Sequence, residues 1–88
     1  MKKAFVYILK DRLSKFYVGS TTDVPRRVKQ HESGHTQTTN RMESPTLVLV
    51  QEFATLAAAR KVEKKIKDLK HKDYIEKMVV EGFIRMKP

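Results

Sequence analysis

The stretch VYILKDRLSKFYVGSTTDVPRRVKQH, from Val6 to His31, decides the fold. An apolar run opens it, a charged segment interrupts it, and a second short apolar run follows. It closes on a basic segment in which an arginine and a histidine stand four residues apart. Side chains along a strand alternate between faces. Ala4 to Leu9 (AFVYIL) therefore reads as a strand with Phe5, Tyr7 and Leu9 on one face and Val6 and Ile8 on the other. Both faces are apolar, which predicts cover on both sides. Lys10 to Lys15 is polar apart from Leu13 and makes the turn, and Phe16 to Ser20 is the second strand of an antiparallel hairpin. If the turn sets odd residues against odd, the rings of Tyr7 and Tyr17 share a face, opposite or diagonal. A slip of one residue would separate them. Gly19 marks a place where the backbone turns sharply or another group comes close.

Beyond the hairpin, Thr22 or Asp23 caps a helix that tolerates Pro25 in its first turn. This helix runs to about Glu32 and stops at Ser33-Gly34. Val24 and Val28 are expected to face the core, with Arg27 and His31 on a neighbouring face. His35 to Ser44 is polar and aperiodic and reads as a mobile loop. Thr46 to Phe53 (TLVLVQEF) is a third strand after Pro45. Thr55 caps a second helix whose apolar stripe is Leu56, Ala59, Val62, Ile66 and Leu69. A third helix spans Asp73 to Glu81, with Ile75, Met78 and Val79 inward, Gly82 after its end, and Phe83 and Ile84 pinning the tail. The expected fold is α/β (α+β): a small three-stranded antiparallel sheet flanked by helices, in the order β-β-α-β-α-α. Residues 1–88 read as a single domain, with no repeat, linker or low-complexity segment.

With 88 residues, the core must be modest. Forty per cent apolar residues support a globular fold. There is no cysteine, so disulfides and thiolate metal sites are ruled out. The N-terminal apolar run is too short for a signal peptide core or a membrane span, so a cytoplasmic protein with no membrane partner is expected. Nineteen lysines and arginines against ten acids give a net charge of +9, which attracts polyanions, nucleic acid first among them. Charge alone does not separate cutting from binding.

Several catalytic patterns are missing. There is no cysteine nucleophile and no glycine-rich phosphate loop, and the His31/His35 pair straddles the Gly34 break. What remains is Tyr7, Tyr17, Arg27, His31 and Glu63. Each has an ordinary structural reading: half-core strand tyrosines, a solvated arginine, a histidine at a helix C-terminus, a glutamate paired with Lys67.

As an ordered set, these residues resemble the GIY-YIG nuclease superfamily. In particular the stretch looks like the small standalone bacterial members and the nuclease module of the excinuclease C subunit. The first motif stands here as Phe5-Val6-Tyr7 and the second as Tyr17-Val18-Gly19. Arg27 follows the motif glycine by eight residues, His31 falls at the family's histidine position, and Glu63 lies in the A-x-x-x-E-x-x-I-K-like context Ala59 to Lys67. Two features depart from the pattern. Phe5 replaces the opening glycine, and Asn40 precedes Glu63, so it does not stand where some catalytic members carry a late asparagine.

The resemblance implies a metal-dependent endonuclease acting on DNA, structure-directed, in repair or recombination. The same fold as a non-catalytic nucleic-acid-binding module is the alternative. Tyr7, Tyr17, Arg27, His31 and Glu63 would be the catalytic residues, with Tyr7 as general base and Arg27 at the phosphate. Glu63 would hold one weakly bound Mg²⁺ or Mn²⁺. A phenol titrates near ~10, so the base role requires that value to fall or the phenol to relay a proton. Arg26, Lys29, Arg41, Lys64 and Lys67 would contact phosphates. DNA is preferred to RNA as substrate, and a protein partner could supply target choice.

Overall fold

The computed structural model describes residues 3–32, 45–69 and 71–86. Six elements follow in the expected order: β1 (Ala4–Lys10), β2 (Phe16–Thr21), α1 (Val24–Glu32), β3 (Thr46–Phe53), α2 (Leu56–Leu69) and α3 (Lys72–Glu81). The strands form one antiparallel sheet in the order β2-β1-β3, so β1 is central. Its apolar residues on both faces follow from that position: Ala4, Val6 and Ile8 are buried on one side, Tyr7 and Leu9 on the other. The expected mobile loop, His35 to Ser44, lies outside the described residues.

One buried carboxylate sets the hairpin. Asp11 Oδ1 accepts the backbone N–H of Leu13 at 2.9 Å and of Lys15 at 2.7 Å. The Asp11 N–H donates to the Lys15 carbonyl at 2.9 Å, and Ser14 takes a left-handed φ of 63° to close the loop. This turn fixes the register as Leu9 opposite Tyr17 and Tyr7 opposite Gly19. On the other side of β1, the register shifts between Ile8 and Leu9, whose partners are Leu49 and Leu47. Val48 is the extra residue of this bulge.

Both early helix caps are side chains named in the sequence reading. Asp23 Oδ1 accepts the Arg26 N–H at 3.2 Å, and Thr55 Oγ1 accepts the Ala58 N–H at 3.1 Å. The core lies between the sheet and α2. Val6, Ile8, Val18 and Leu49 meet Ala59, Val62 and Ile66, and Met78 and Ile84 close the end. Fully burying a side chain of this kind stabilises by about 1.5–3 kcal/mol. The tail is anchored by Gln51, whose Oε1 accepts the Ile84 N–H at 2.6 Å and whose Nε2 donates to the Ile84 carbonyl at 3.1 Å. Gly82, at φ 83°, ends α3 with its N–H on the Met78 carbonyl.

Four side chains depart from expectation. Leu69 is 39% exposed, because the end of α2 borders a shallow cleft with Met86 instead of the core. Phe83 turns outward beneath Arg85, and Ile84, with Met86 packed beside the core, pins the tail. Val24 and Val28 are half-buried and are not among the residues packed against the main core, because α1 serves the opposite face of the sheet.

Candidate active site

The hairpin register puts Tyr7 and Tyr17 diagonally across one face, with ring centroids 6.2 Å apart and planes tilted by 39°. The Tyr7 ring lies over Gly19. A methyl group at position 19 would come within 2.6 Å of Tyr7 Cζ. The close approach named for Gly19 is therefore that of a catalytic-candidate phenol. Tyr7 is fully buried, whereas Tyr17 is partly open.

Helix α1 brings Arg27 to the same face. Its guanidinium hydrogen-bonds the Tyr7 phenol and also reaches Tyr17. Nη1 donates to Gln30 Oε1 at 3.3 Å, one turn along the helix, while Nε is buried without a partner. A buried, unpaired donor on a permanent cation is suited to an incoming anion. Burial pushes the Tyr7 phenol up to about 12; the Arg27 cation opposes that rise without cancelling it. Tyr7 thus holds its proton at neutral pH, and of the two forms of the base role this arrangement suits the proton relay. The bond to the phenol in turn raises Arg27 further above its ordinary range.

Glu63 comes from α2, on the other side of β2. Ser20 Oγ donates to Glu63 Oε1 at 2.5 Å, and Lys67 Nζ lies 2.6 Å from Oε2, one turn along the helix. By alternation Ser20 and Tyr17 point to opposite faces. Yet β2 is an edge strand, and the two faces meet along its open side. Lys67 bridges them there: its ammonium also stands 5.8 Å from the Tyr17 ring centroid. One cation thus links the carboxylate to the phenol pair. Ser20 was not singled out by the sequence. The available signal was its alternation with Val18, which turns it toward α2.

No group of three or more His, Cys, Asp or Glu side chains that could hold a metal occurs among the described residues. Glu63 offers a single carboxylate with its side chain 19% exposed. Such a donor set suits a hard cation that keeps most of its waters and shares substrate oxygens, the usual pattern for Mg²⁺. Arg26, Lys29, Lys64 and Lys67 are all exposed. Arg41 and the side chain of His31 lie outside the described residues; the backbone of His31 is in α1.

Residues 3–77 match the GIY-YIG catalytic domain. The chain belongs to the GIY-YIG family. Among the proteins it is similar to, the UPF0213 protein of Streptococcus pneumoniae is 36% identical over 66 residues, 74% of this chain and 67% of that one. The UPF0213 protein YhbQ of Escherichia coli K12 is 34% identical over 79 residues, 89% of this chain and 78% of that one. The solution structure of the UPF0213 protein BH0048 from Bacillus halodurans superposes with a TM-score of 0.57 at 31% identity, covering 91% of this chain and 86% of that one. The GIY-YIG fold with three antiparallel strands and three helices is therefore shared. Family membership points to nuclease-type chemistry with a nucleic acid as substrate. No helix among the described residues is long and apolar enough to cross a membrane.

Proposed function

We propose that this GIY-YIG protein is a metal-dependent endonuclease that hydrolyses DNA phosphodiester bonds, directed by the structure of the DNA, in repair or recombination. The observation that supports it best is the Arg27 guanidinium set against both phenols with a buried, unpaired Nε. In this reading Arg27 grips the scissile phosphate, where a guanidinium matches two oxygens at once and offsets the charge that builds up during displacement. Glu63 would hold one Mg²⁺ or Mn²⁺ ion, which would supply Lewis-acid charge to the reaction. Lys67 then gives up Glu63 Oε2 and turns to a phosphate. Tyr7, protonated and buried, donates a hydrogen bond and fixes Arg27. Tyr17, at the open edge, orients the attacking water; as the water oxygen bonds to phosphorus and the P–O bond to the leaving oxygen breaks, the water's proton passes to solvent at that edge and the leaving oxygen takes a proton from solvent. Arg26, Lys29 and Lys64 add sequence-independent phosphate contacts. The substrate is DNA before RNA, the setting is the cytoplasm, and a protein partner supplies target choice.

The Lys67 ammonium held 2.6 Å from Glu63 Oε2 favours a second reading, a non-catalytic nucleic-acid-binding module of the same fold. One experiment separates the two: nicking of branched and flapped DNA in Mg²⁺ or Mn²⁺ by wild type, Glu63→Ala and Arg27→Ala. The nuclease reading expects each variant to lose on the order of 10²-fold or more in rate. Equal nicking by Glu63→Ala contradicts it. Salt-sensitive binding with no cleavage by wild type leaves the second reading.

A further inference from the structure

Both oxygens of Glu63 are engaged by this chain's own side chains. Ser20 Oγ donates to Oε1 at 2.5 Å, and the Lys67 ammonium lies 2.6 Å from Oε2. The two contacts differ in how easily they part. The Ser20 bond is partly covered and joins β2 to α2 across forty-three residues. Lys67 is half-exposed on a flexible stem, so its ammonium can leave without any movement of the backbone. A Glu–Lys pair one helical turn apart is ordinarily a solvated surface contact of little weight. This pair differs in two respects. The carboxylate is largely covered, and the ammonium stands 5.8 Å from the Tyr17 ring centroid. Arg27 reaches the same tyrosine from α1.

We infer that Lys67 makes metal binding conditional on substrate: it competes with the ion for Glu63 Oε2, and a phosphate held by Arg27 draws its ammonium away. The inference rests on the nuclease reading above and adds the regulation of that site. Two cations on one carboxylate oxygen repel, so an ion that takes Oε2 must displace the ammonium. Displaced into water, the ammonium exchanges a charge-assisted bond for hydration alone. A phosphate beside Tyr17 offers it a replacement anion within the span of one lysine side chain. Ser20 meanwhile keeps the carboxylate in place through Oε1. Metal and phosphate therefore assist each other. Linkage makes the assistance reciprocal, each raising the affinity of the other by the same factor.

The test titrates Mn²⁺ into the full chain at fixed ionic strength and follows amide broadening at Glu63 and Ser20. Wild type, Lys67→Gln and Lys64→Gln are compared, each alone and with saturating branched DNA whose phosphorothioate linkages resist hydrolysis. Without DNA, Lys67→Gln should bind Mn²⁺ about tenfold more tightly than wild type. Lys64→Gln removes the same charge from an exposed position on the same helix and should stay within about twofold of wild type. With DNA, wild type should gain roughly fivefold or more in Mn²⁺ affinity, and Lys67→Gln much less. Equal gains from Lys67→Gln and Lys64→Gln would reduce the effect to net charge and overturn the inference. So would a wild-type affinity that DNA leaves unchanged, or a DNA effect that survives in full in Lys67→Gln. Failure of all three chains to bind Mn²⁺ at Glu63, with or without DNA, would remove the nuclease reading as well. Glu63-dependent nicking, together with Mn²⁺ binding indifferent to Lys67, would remove only this inference.

Discussion

Gly19→Ala probes the point where the hairpin register meets the chemistry. The added methyl would meet the Tyr7 phenol oxygen and come within 2.6 Å of Cζ and 2.9 Å of Cε1. The ring cannot step aside into solvent, because Tyr7 is fully buried. The backbone at Gly19 is not left-handed, so the cost is one of contact and not of φ. Overpacking of this kind costs about 1–3 kcal/mol. In a domain of this size each kcal/mol lowers Tm by about 4–8 °C, so a fall of about 10 °C is expected at the middle of the range. Circular dichroism melts of wild type, Gly19→Ala, Tyr7→Ala and the double variant would measure it. Tyr7→Ala alone should be severe, at about 3–5 kcal/mol. Once the ring is gone, the methyl at position 19 should add almost nothing, giving a coupling of at least about 1 kcal/mol. Cleavage by Gly19→Ala should also fall, because a displaced ring gives up its bond to Arg27. A Tm shift below about 2 °C for Gly19→Ala, or strict additivity in the double variant, would refute the steric argument.

Three further outcomes are expected. Tyr7 keeps its proton to about 12 when folded, while an unfolded phenol loses it near 10.0. Its contribution is therefore complete below about pH 10 and is lost as pH rises toward 12. Denaturant titrations should show wild type losing about 2–3 kcal/mol more than Tyr7→Phe across that window, and a constant difference would refute it. Gln51→Leu removes both bonds to the backbone of Ile84, whose side chain packs in the core. It should cost about 2–3 kcal/mol and speed hydrogen exchange at the Ile84 amide, and an unchanged Tm would count against the tail anchor. Asp11→Ala strips the acceptor from two backbone N–H groups in the hairpin loop and should cost about 1–2 kcal/mol. Urea unfolding measures it, and a variant as stable as wild type would show that the turn needs no side-chain acceptor.

Local rules carried much of the fold. Alternation placed the tyrosine pair on one face, side-chain caps placed the starts of α1 and α2, and a stripe at helical spacing placed Ala59, Val62 and Ile66 in the core. Contacts between segments far apart in sequence were not visible. Ser20 meets Glu63 across forty-three residues and Gln51 meets Ile84 across thirty-three, with no periodicity to announce either pair. The bulge at Val48 depends on packing of β3 against β1, which no propensity of that strand encodes. Phe83 and Leu69 were misplaced because apolar character was taken as burial, whereas the last turns of α2 and the tail overhang the small sheet. The direction of the Tyr7 shift was also out of reach. The sequence supplies the cation that lowers it, and only the fold supplies the burial that outweighs that cation.

In the proposed function, side chains from β1, β2, α1 and α2 serve one metal-and-phosphate site at the edge of β2. Paramagnetic broadening of the amide NMR spectrum by substoichiometric Mn²⁺ tests it most directly. The expected result is early broadening at Glu63, Ser20, Tyr17 and Lys67, followed by Tyr7 and Arg27, all of it abolished by Glu63→Gln. Broadening centred elsewhere, or unchanged in Glu63→Gln, would contradict the claim.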